Sequence, residues 1–483
     1  MVWLCFLNPA TNDGKSFFFL GQSACFEGNW NDPFFPKLWL YNLHYQDDLN
    51  ARGAETRVEL CTGMVNAWIE GNPPLQGNSW VRSLAQQADA LEQQLEYHIL
   101  ANHLFANAKA LVFFGAYLGG AEGNRWLRKG LKLLDREVKE QFLNDGAHYE
   151  RSPMYQGTLL WDFAGLIALN QVMQLPEMNS WACEWRQRFE KGLEWLATMT
   201  HPDDGISFFN DAAFGIAPDF EDVNRYADSL GLSVAKAEQP AGLTGVLLRE
   251  SGYCVVDWSN QHRLLIDLTP IGPDYQPGHA HADTLSCELS LFGQRVFVNS
   301  GISQYGESAE RHRQRSTAAH NTVEVDGENS SEVRAGFRVA RRARPFNVSF
   351  KHEAEQILVE GSHDGYHRLR GKVTHRRKWY ATDSALIVEN SLTRHYHCAV
   401  AHWHFHPNVT IEPVGKTSFR LTLVGGQHVL LVLEGAEKLQ VKDSVWHPEL
   451  GLALQNKVVE AETSGDALFL KIYFKNISSH LES

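Results

Sequence analysis

Leu289-Ser290-Leu291-Phe292-Gly293-Gln294-Arg295-Val296-Phe297-Val298-Asn299-Ser300-Gly301 carries β-branched and aromatic residues on both sides of a Phe-Gly-Gln turn, which reads as a β-hairpin. Before it stands Pro277-Gly278-His279-Ala280-His281-Ala282-Asp283, and after it Ala318-Ala319-His320-Asn321-Thr322. His279 and His281 are two residues apart, so on a strand both side chains project from the same face. One imidazole could then bind a metal while its neighbour faces a substrate. Neutral imidazole is the commonest transition-metal ligand and titrates near neutrality, so the pair suits either task. The plainer alternative is two half-buried strand histidines without chemistry; His320, close by in sequence, moves the functional reading ahead.

Short alternating runs bounded by Gly, Asn and Asp surround this hairpin from about Leu243 onward. They include Gly245-Val246-Leu247-Leu248, Tyr253-Cys254-Val255-Val256-Asp257, Leu264-Leu265-Ile266-Asp267, Val323-Glu324-Val325-Asp326, Ala385-Leu386-Ile387-Val388-Glu389, Phe419-Arg420-Leu421-Thr422-Leu423 and Val429-Leu430-Leu431-Val432. Such spacing predicts an antiparallel β-sandwich. The first half differs. Leu100, Leu104, Ala108 and Leu111 recur at helical spacing, Trp126, Leu131 and Leu134 continue in a basic amphipathic stretch, and 159–173 and 185–199 supply two more helical segments. The chain is therefore expected to be an α+β multidomain protein, with a helical domain over 1–235 and a strand-rich domain over 241–483. The polar stretch Ala235-Lys236-Ala237-Glu238-Gln239-Pro240 marks the boundary.

A length of 483 residues exceeds what one hydrophobic core usually supports, in keeping with two domains. A formal charge of −13 argues against nucleic acid or anionic membrane as partner, because phosphate binding requires a basic surface. Three local basic runs interrupt the acidic chain: Arg311-His312-Arg313-Gln314-Arg315, Arg341-Arg342-Ala343-Arg344 and His375-Arg376-Arg377-Lys378. Each suits an anionic small molecule or polysaccharide, or else is a solvated face or a charged strand edge. Seven cysteines without a CxxC pair make a disulfide framework unexpected. Met1-Val2-Trp3-Leu4-Cys5-Phe6-Leu7 is apolar but lacks a basic leader region and is cut off by Asn8-Pro9, so neither a signal peptide nor a membrane span is expected. The chain as given therefore reads as cytoplasmic, or as periplasmic or secreted if a leader has been lost.

The helical half holds a polar set of its own. Asn102 points about 200° away from the apolar stripe of its helix, and His103 is adjacent. Downstream, Asn144-Asp145-Gly146-Ala147-His148-Tyr149-Glu150-Arg151-Ser152-Pro153-Met154-Tyr155-Gln156 has a Gly turn and then Ser-Pro opening a helix, with Tyr155 in its first turn. A tyrosine there can equally be packing.

Taken together, His-x-His-x-Asp before a hairpin ending in Asn-Ser-Gly, Ala-His-Asn-Thr-Val-x-Val-Asp-Gly, Asn-His and Glu-Arg-Ser-Pro-x-Tyr resemble the heparinase II/III-like polysaccharide lyase family. The likeness spans nearly the whole chain, including Leu38-Trp39-Leu40-Tyr41-Asn42-Leu43-His44-Tyr45. It implies an N-terminal incomplete α/α toroid followed by the antiparallel β-sandwich. It also implies β-elimination on a uronic-acid-containing polysaccharide: removal of the C5 proton and expulsion of the C4 oxygen. Asn102 and His103 would stabilise the charge developing on the carboxylate. Tyr155 would be acid or base, or both, its phenol pKa modestly lowered by nearby cations, and His279 the complementary base. Tyr305, Arg311, Arg313 and Arg315 are assigned to binding the anionic polymer.

The resemblance further implies a structural divalent cation such as Zn²⁺ held at positions that map to His281, Asn299 and His320. Asn299 stands where the family has Asp. A neutral amide is a poor zinc ligand beside a carboxylate, so this site should be weak or empty. Two other functions compete: a uronyl C5-epimerase, which returns the proton instead of expelling O4, and a polysaccharide-binding or assembly protein with impaired catalysis.

Overall fold

The computed structural model describes residues 10–19, 22–26, 28–36, 39, 40, 43, 47–51, 54–71, 80–235, 240–353, 355–393 and 395–475. The start at 1–7, most of the 38–45 motif, and the core of the expected boundary at 236–239 lie outside them. The first half carries the helices α1 (Val58–Gly71), α2 (Trp80–Gln93), α3 (Ala101–Leu118), α4 (Gly120–Gln141), α5 (Pro153–Met173), α6 (Ala182–Thr198) and α7 (Phe220–Ser229). A hairpin of β1 (Ser16–Phe19) and β2 (Gln22–Cys25) precedes them. Among the described residues no helix is long and apolar enough to cross a membrane.

Chain contacts divide the protein into two compact units that do not follow a single cut. The first contains 1–142, 157–193 and 221–234, and the second contains 143–156, 194–220 and 235–483. In the first unit the apolar periodicity of α3 is borne out: Leu104, Phe105, Ala108, Leu111 and Val112 are all fully buried. Its partner α4 approaches closely at Gly130, where a Cβ would sit 2.7 Å from the Ala108 carbonyl oxygen. Any larger residue would force the pair apart.

In the second unit a five-stranded antiparallel sheet runs β3 (Thr244–Leu248), β4 (Tyr253–Trp258), β5 (His262–Asp267), β6 (Cys287–Leu291) and β7 (Gln294–Phe297) in simple order. β6 and β7 are the expected hairpin, closing with Leu291 opposite Gln294. Its two turn residues, Phe292 and Gly293, have φ of 54° and 75°, the left-handed pair that matches strand twist. A four-stranded sheet is ordered Lys438–Trp446, Leu454–Thr463, Ala399–His404 and β8 (Val323–Val325). An eight-stranded sheet begins Pro345–Glu353, Gln356–His363, His375–Thr382 and Ala385–Leu392 and continues through Ala467–Tyr473, His428–Glu434, Ser418–Thr422 and Thr410–Pro413. One continuous apolar core draws side chains from all three sheets, among them Val256, Leu289, Trp379, Trp403 and Leu431. Period-two burial along Ala385–Leu392 shows the alternation read from the sequence.

Candidate active site

His279 and His281 do not lie on a strand, contrary to the reading from their spacing. They sit on the long connection between β5 and β6, whose neck is tied by Asp267 N–H to Ser286 O (2.9 Å) and Leu285 N–H to Asp267 O (3.0 Å). The two rings nevertheless converge, because both reach the carboxylate of Asp211. Nδ1 of His279 is 2.8 Å from Oδ2, and Nε2 of His281 is 2.8 Å from Oδ1. A carboxylate only accepts, so each of these ring nitrogens carries its proton, and Nε2 is the His279 nitrogen that Asp211 leaves uncommitted.

Asp211 is the hub of the site, and no motif announced it. Arg311 grips it with both guanidinium ends, Nη1 to Oδ1 and Nη2 to Oδ2, the latter at 2.7 Å. Burial alone would raise this carboxyl, but Arg311 and the donations from His279 and His281 outweigh it and hold the group well below the usual carboxylate range. Asn210, at φ 58°, binds the site to its neighbours: its side chain donates to the Arg151 carbonyl (3.0 Å) and accepts from His281 N–H (3.3 Å). The one signal in the sequence was an Asn-Asp pair between apolar runs, which reads only as a turn.

Tyr155 enters from the start of α5. Ser152 caps that helix, its Oγ accepting from Tyr155 N–H (3.3 Å) and donating to the Asp211 carbonyl (2.6 Å), with Pro153 in the first helical position. The tyrosine ring lies over the His279 imidazole, centroids 4.1 Å apart, and its hydroxyl is 3.0 Å from that of Tyr305. Burial first, then Tyr305 and the Asp211 charge, push the Tyr155 phenol well above its ordinary value. This reverses the expected lowering. Tyr155 rests as a neutral phenol, equipped to donate a proton.

Beside these groups lies Glu150, 2% exposed, with neither carboxyl oxygen hydrogen-bonded among the described residues. Burial raises it to about 7, against the pull of His279.

Two of the arginines assigned to the polymer do other work. Arg311 and Arg315 are fully buried. Arg311 neutralises Asp211, with its guanidinium over the rings of Tyr305 and Phe337. Arg315 donates to the Ala280 carbonyl from Nε (3.0 Å) and Nη2 (2.9 Å), holding the His-x-His loop in place. Arg313 is half-buried and paired with Glu310 at 2.6 Å. The partners of Arg311 and Arg315 lie far off in sequence, so their burial could not be read from a basic run. Asn102 and His103 belong to α3 in the first unit; Oδ1 of Asn102 is buried without a hydrogen-bond partner among the described residues, and His103 is half-exposed, 3.4 Å from Glu96.

His281 and His320 come together as expected, Nδ1 to Nε2 at 3.0 Å. The far nitrogen of His320 donates to the Ser316 carbonyl at 2.7 Å, and that of His281 to Asp211, so the 3.0 Å hydrogen bond between the facing nitrogens requires a second proton on one of the rings. Ligand histidines are commonly oriented in this way, each outer N–H given to a carboxylate or carbonyl. Asn299 is committed elsewhere, its Nδ2 donating to Phe208 O (3.0 Å) and its Oδ1 accepting from Asn321 N–H (3.4 Å). Two imidazoles make only part of a ligand set for a divalent cation, and the third donor brings no charge. Among the described residues no group of three His, Cys, Asp or Glu is arranged to hold a metal.

Residues 76–227 match the family model for the heparinase II/III N-terminus, and residues 241–470 match that for heparinase II/III-like, C-terminal. A heparin-sulfate lyase of Bacteroides stercoris is 25% identical over 310 residues, covering 60% of this chain and 43% of that protein. One from Bacteroides thetaiotaomicron is 23% identical over 345 residues, covering 64% and 46%. The chain thus spans less than half the length of these curated relatives. Among solved structures, a heparinase III superposes with a TM-score of 0.67 at 17% identity, covering 93% of this chain and 81% of that one. A heparan sulfate lyase from Pedobacter heparinus gives 0.63 at 17% identity, covering 97% and 81%. These likenesses establish the fold, with mixed helices and antiparallel sheets.

Proposed function

Because the chain belongs to the heparinase II/III-like family, we propose that it is a polysaccharide lyase that cleaves a uronic-acid-containing glycosaminoglycan by β-elimination. One observation carries this reading: a histidine oriented by a buried aspartate, with its ring 4.1 Å from that of a tyrosine kept protonated by burial. His279 Nε2 takes the C5 proton. The electron pair forms the C4–C5 double bond as the C4–O bond breaks, and the Tyr155 hydroxyl protonates the departing oxygen. Tyr305, 3.0 Å away, donates to the phenolate oxygen left behind. Asp211 fixes the His279 tautomer and steadies the imidazolium that forms, as the carboxylate does in other histidine-based sites.

Asn102 and His103 keep the role that the resemblance implies, donors to the uronate carboxylate. The same resemblance puts the helices in an incomplete α/α toroid and the sheets in a β-sandwich; the close α3–α4 pair and the core shared by three sheets support that arrangement. A zinc ion, if bound, would be held by His281 and His320, with Asn299 able to join them only by giving up its bond from Asn321 N–H, and its chemistry would be structural, bracing the loop that presents His279.

The test is incubation with heparan sulfate, chondroitin sulfate and alginate, following near-ultraviolet absorbance and chain length together. Elimination raises absorbance and shortens the chain. Inversion at C5 without shortening would make the protein an epimerase, and binding with neither change would make it a binding protein.

A further inference from the structure

Of the run Arg341-Arg342-Ala343-Arg344, two members are accounted for. Arg341 pairs with Glu332 at 2.6 Å, and Arg342 with the exposed Asp274 at 2.9 Å. Arg344 makes no ion pair among the described residues, and only its backbone is used, the N–H donating to the Asp364 carboxylate at 2.7 Å and the carbonyl accepting from Asp364 N–H at 3.3 Å. Arg344 helps to line a cavity of about 220 Å³ in the second unit, together with Arg151, Arg342, Asp274 and residues 270–273. Arg151 is half-buried there. Its Nε donates to Ser251 O (3.0 Å) and its Nη1 to Tyr149 O (3.2 Å), yet no carboxylate among the described residues lies within ion-pair distance of it. Three arginines and one exposed carboxylate thus line the cavity, with Arg342 and Asp274 paired to each other.

Among the described residues Arg151 is half-buried without a carboxylate partner, which is costly, while Arg344 is exposed and unpaired, and arginine's planar fork matches carboxylate and sulfo oxygens in two-point contact. The backbone that presents the cluster is pinned: the Arg341 carbonyl accepts from Glu332 N–H (2.8 Å), and Ala343 N–H donates to Ser331 Oγ (2.9 Å). Arg151 precedes Tyr155 by four residues, a span of at most about 14 Å. The pocket and the reacting groups therefore lie within a few sugars of one another along a polymer.

The geometry points to a subsite, formed by Arg151, Arg342 and Arg344, for an oxyanion substituent of an acidic saccharide beside the one being cleaved. It rests on the lyase reading for the identity of the polymer, and it adds a contact outside the His279–Tyr155–Asp211 centre. Both a sulfo group and a uronate carboxylate have the required chemistry.

The experiment compares the full chain with Arg344→Ala and Arg344→Glu on heparan sulfate and on its chemically desulfated form. Affinity is read by calorimetry and elimination by absorbance, with melting temperature checking the fold. Arg344→Ala should weaken heparan sulfate binding about tenfold, the worth of one charge-assisted contact, and Arg344→Glu should weaken it more. An equal loss on the desulfated polymer assigns the pocket to the carboxylate, and a smaller one to a sulfo group. If the wild-type chain binds but eliminates nothing while Arg344→Ala still weakens binding, the lyase reading falls and the subsite stands. Unchanged affinity and KM in both variants, or no binding by the wild-type chain, overturns the subsite.

Discussion

Asp211 and His279 meet at 2.8 Å, Oδ2 to Nδ1, across 68 residues of chain, and this contact determines which nitrogen of the histidine is free to act. Asp211→Asn would let the ring adopt the other tautomer and would strip Arg311 of its buried counter-charge. Turnover should fall by about 10²–10⁴-fold. Stability should fall by about 3–5 kcal/mol, because a buried cation is left unpaired. Thermal melts beside initial rates check both; a variant that melts as the wild type does and turns over normally would remove Asp211 from the site.

The Tyr155 and Tyr305 hydroxyls, 3.0 Å apart, are not equivalent in this scheme. Tyr155→Phe should abolish measurable elimination, a loss of about 10²–10⁴-fold, with binding retained. Tyr305→Phe removes only the donor to the transient phenolate and should cost kcat about tenfold, near the worth of one hydrogen bond to a charged group. If the two variants lost activity equally, the assignment of the proton donor would fail.

Four fully or nearly fully buried histidines are held neutral by burial, His148, His363 and His404 lowered to about 3 and His402 to about 4, from an ordinary 6.5. Between 6.5 and these values the unfolded chain binds protons that the folded one does not. The stability they confer is therefore complete above 6.5 and is lost as pH falls through the folded values, at roughly 1.4 kcal/mol per pH unit for each group. Melting temperature should drop steeply from pH 6.5 to 4, and a flat profile there would contradict their burial as neutral rings.

Glu150 has the opposite sign. Its folded value of about 7 lies above the ordinary 4.5, so its contribution is present below 4.5 and is lost as pH rises through 7. Glu150→Gln removes the buried charge. It should raise stability at pH 8 by on the order of 1–3 kcal/mol and leave it nearly unchanged at pH 4. Denaturant titrations at the two pH values distinguish this from a change that acts at all pH.

Asn299→Asp would add a carboxylate near His281 and His320. Zinc affinity should rise by at least tenfold, measured as retained metal after dialysis against a chelator and as a zinc-dependent rise in melting temperature. No change in either would mean that position 299 does not join the imidazoles.

The sequence by itself determined the local elements and the pairing of chemistries. Apolar periodicity placed Leu104, Ala108 and Leu111 on a buried helix face and Leu289–Phe297 in a hairpin, because such preferences act over a few residues. The Ser-Pro step that sets Tyr155 at a helix start was legible for the same reason, whereas His279 and His281 meet through Asp211 on a loop and not through strand spacing. Tertiary structure alone decided the charges. That Asp211 gathers two histidines and an arginine 100 residues away, that Arg311 and Arg315 are buried scaffolding, and that Tyr155 is held protonated all depend on desolvation and on partners distant in the chain. Electrostatic energy depends on separation in space and on the surrounding dielectric, neither of which is written into residue order.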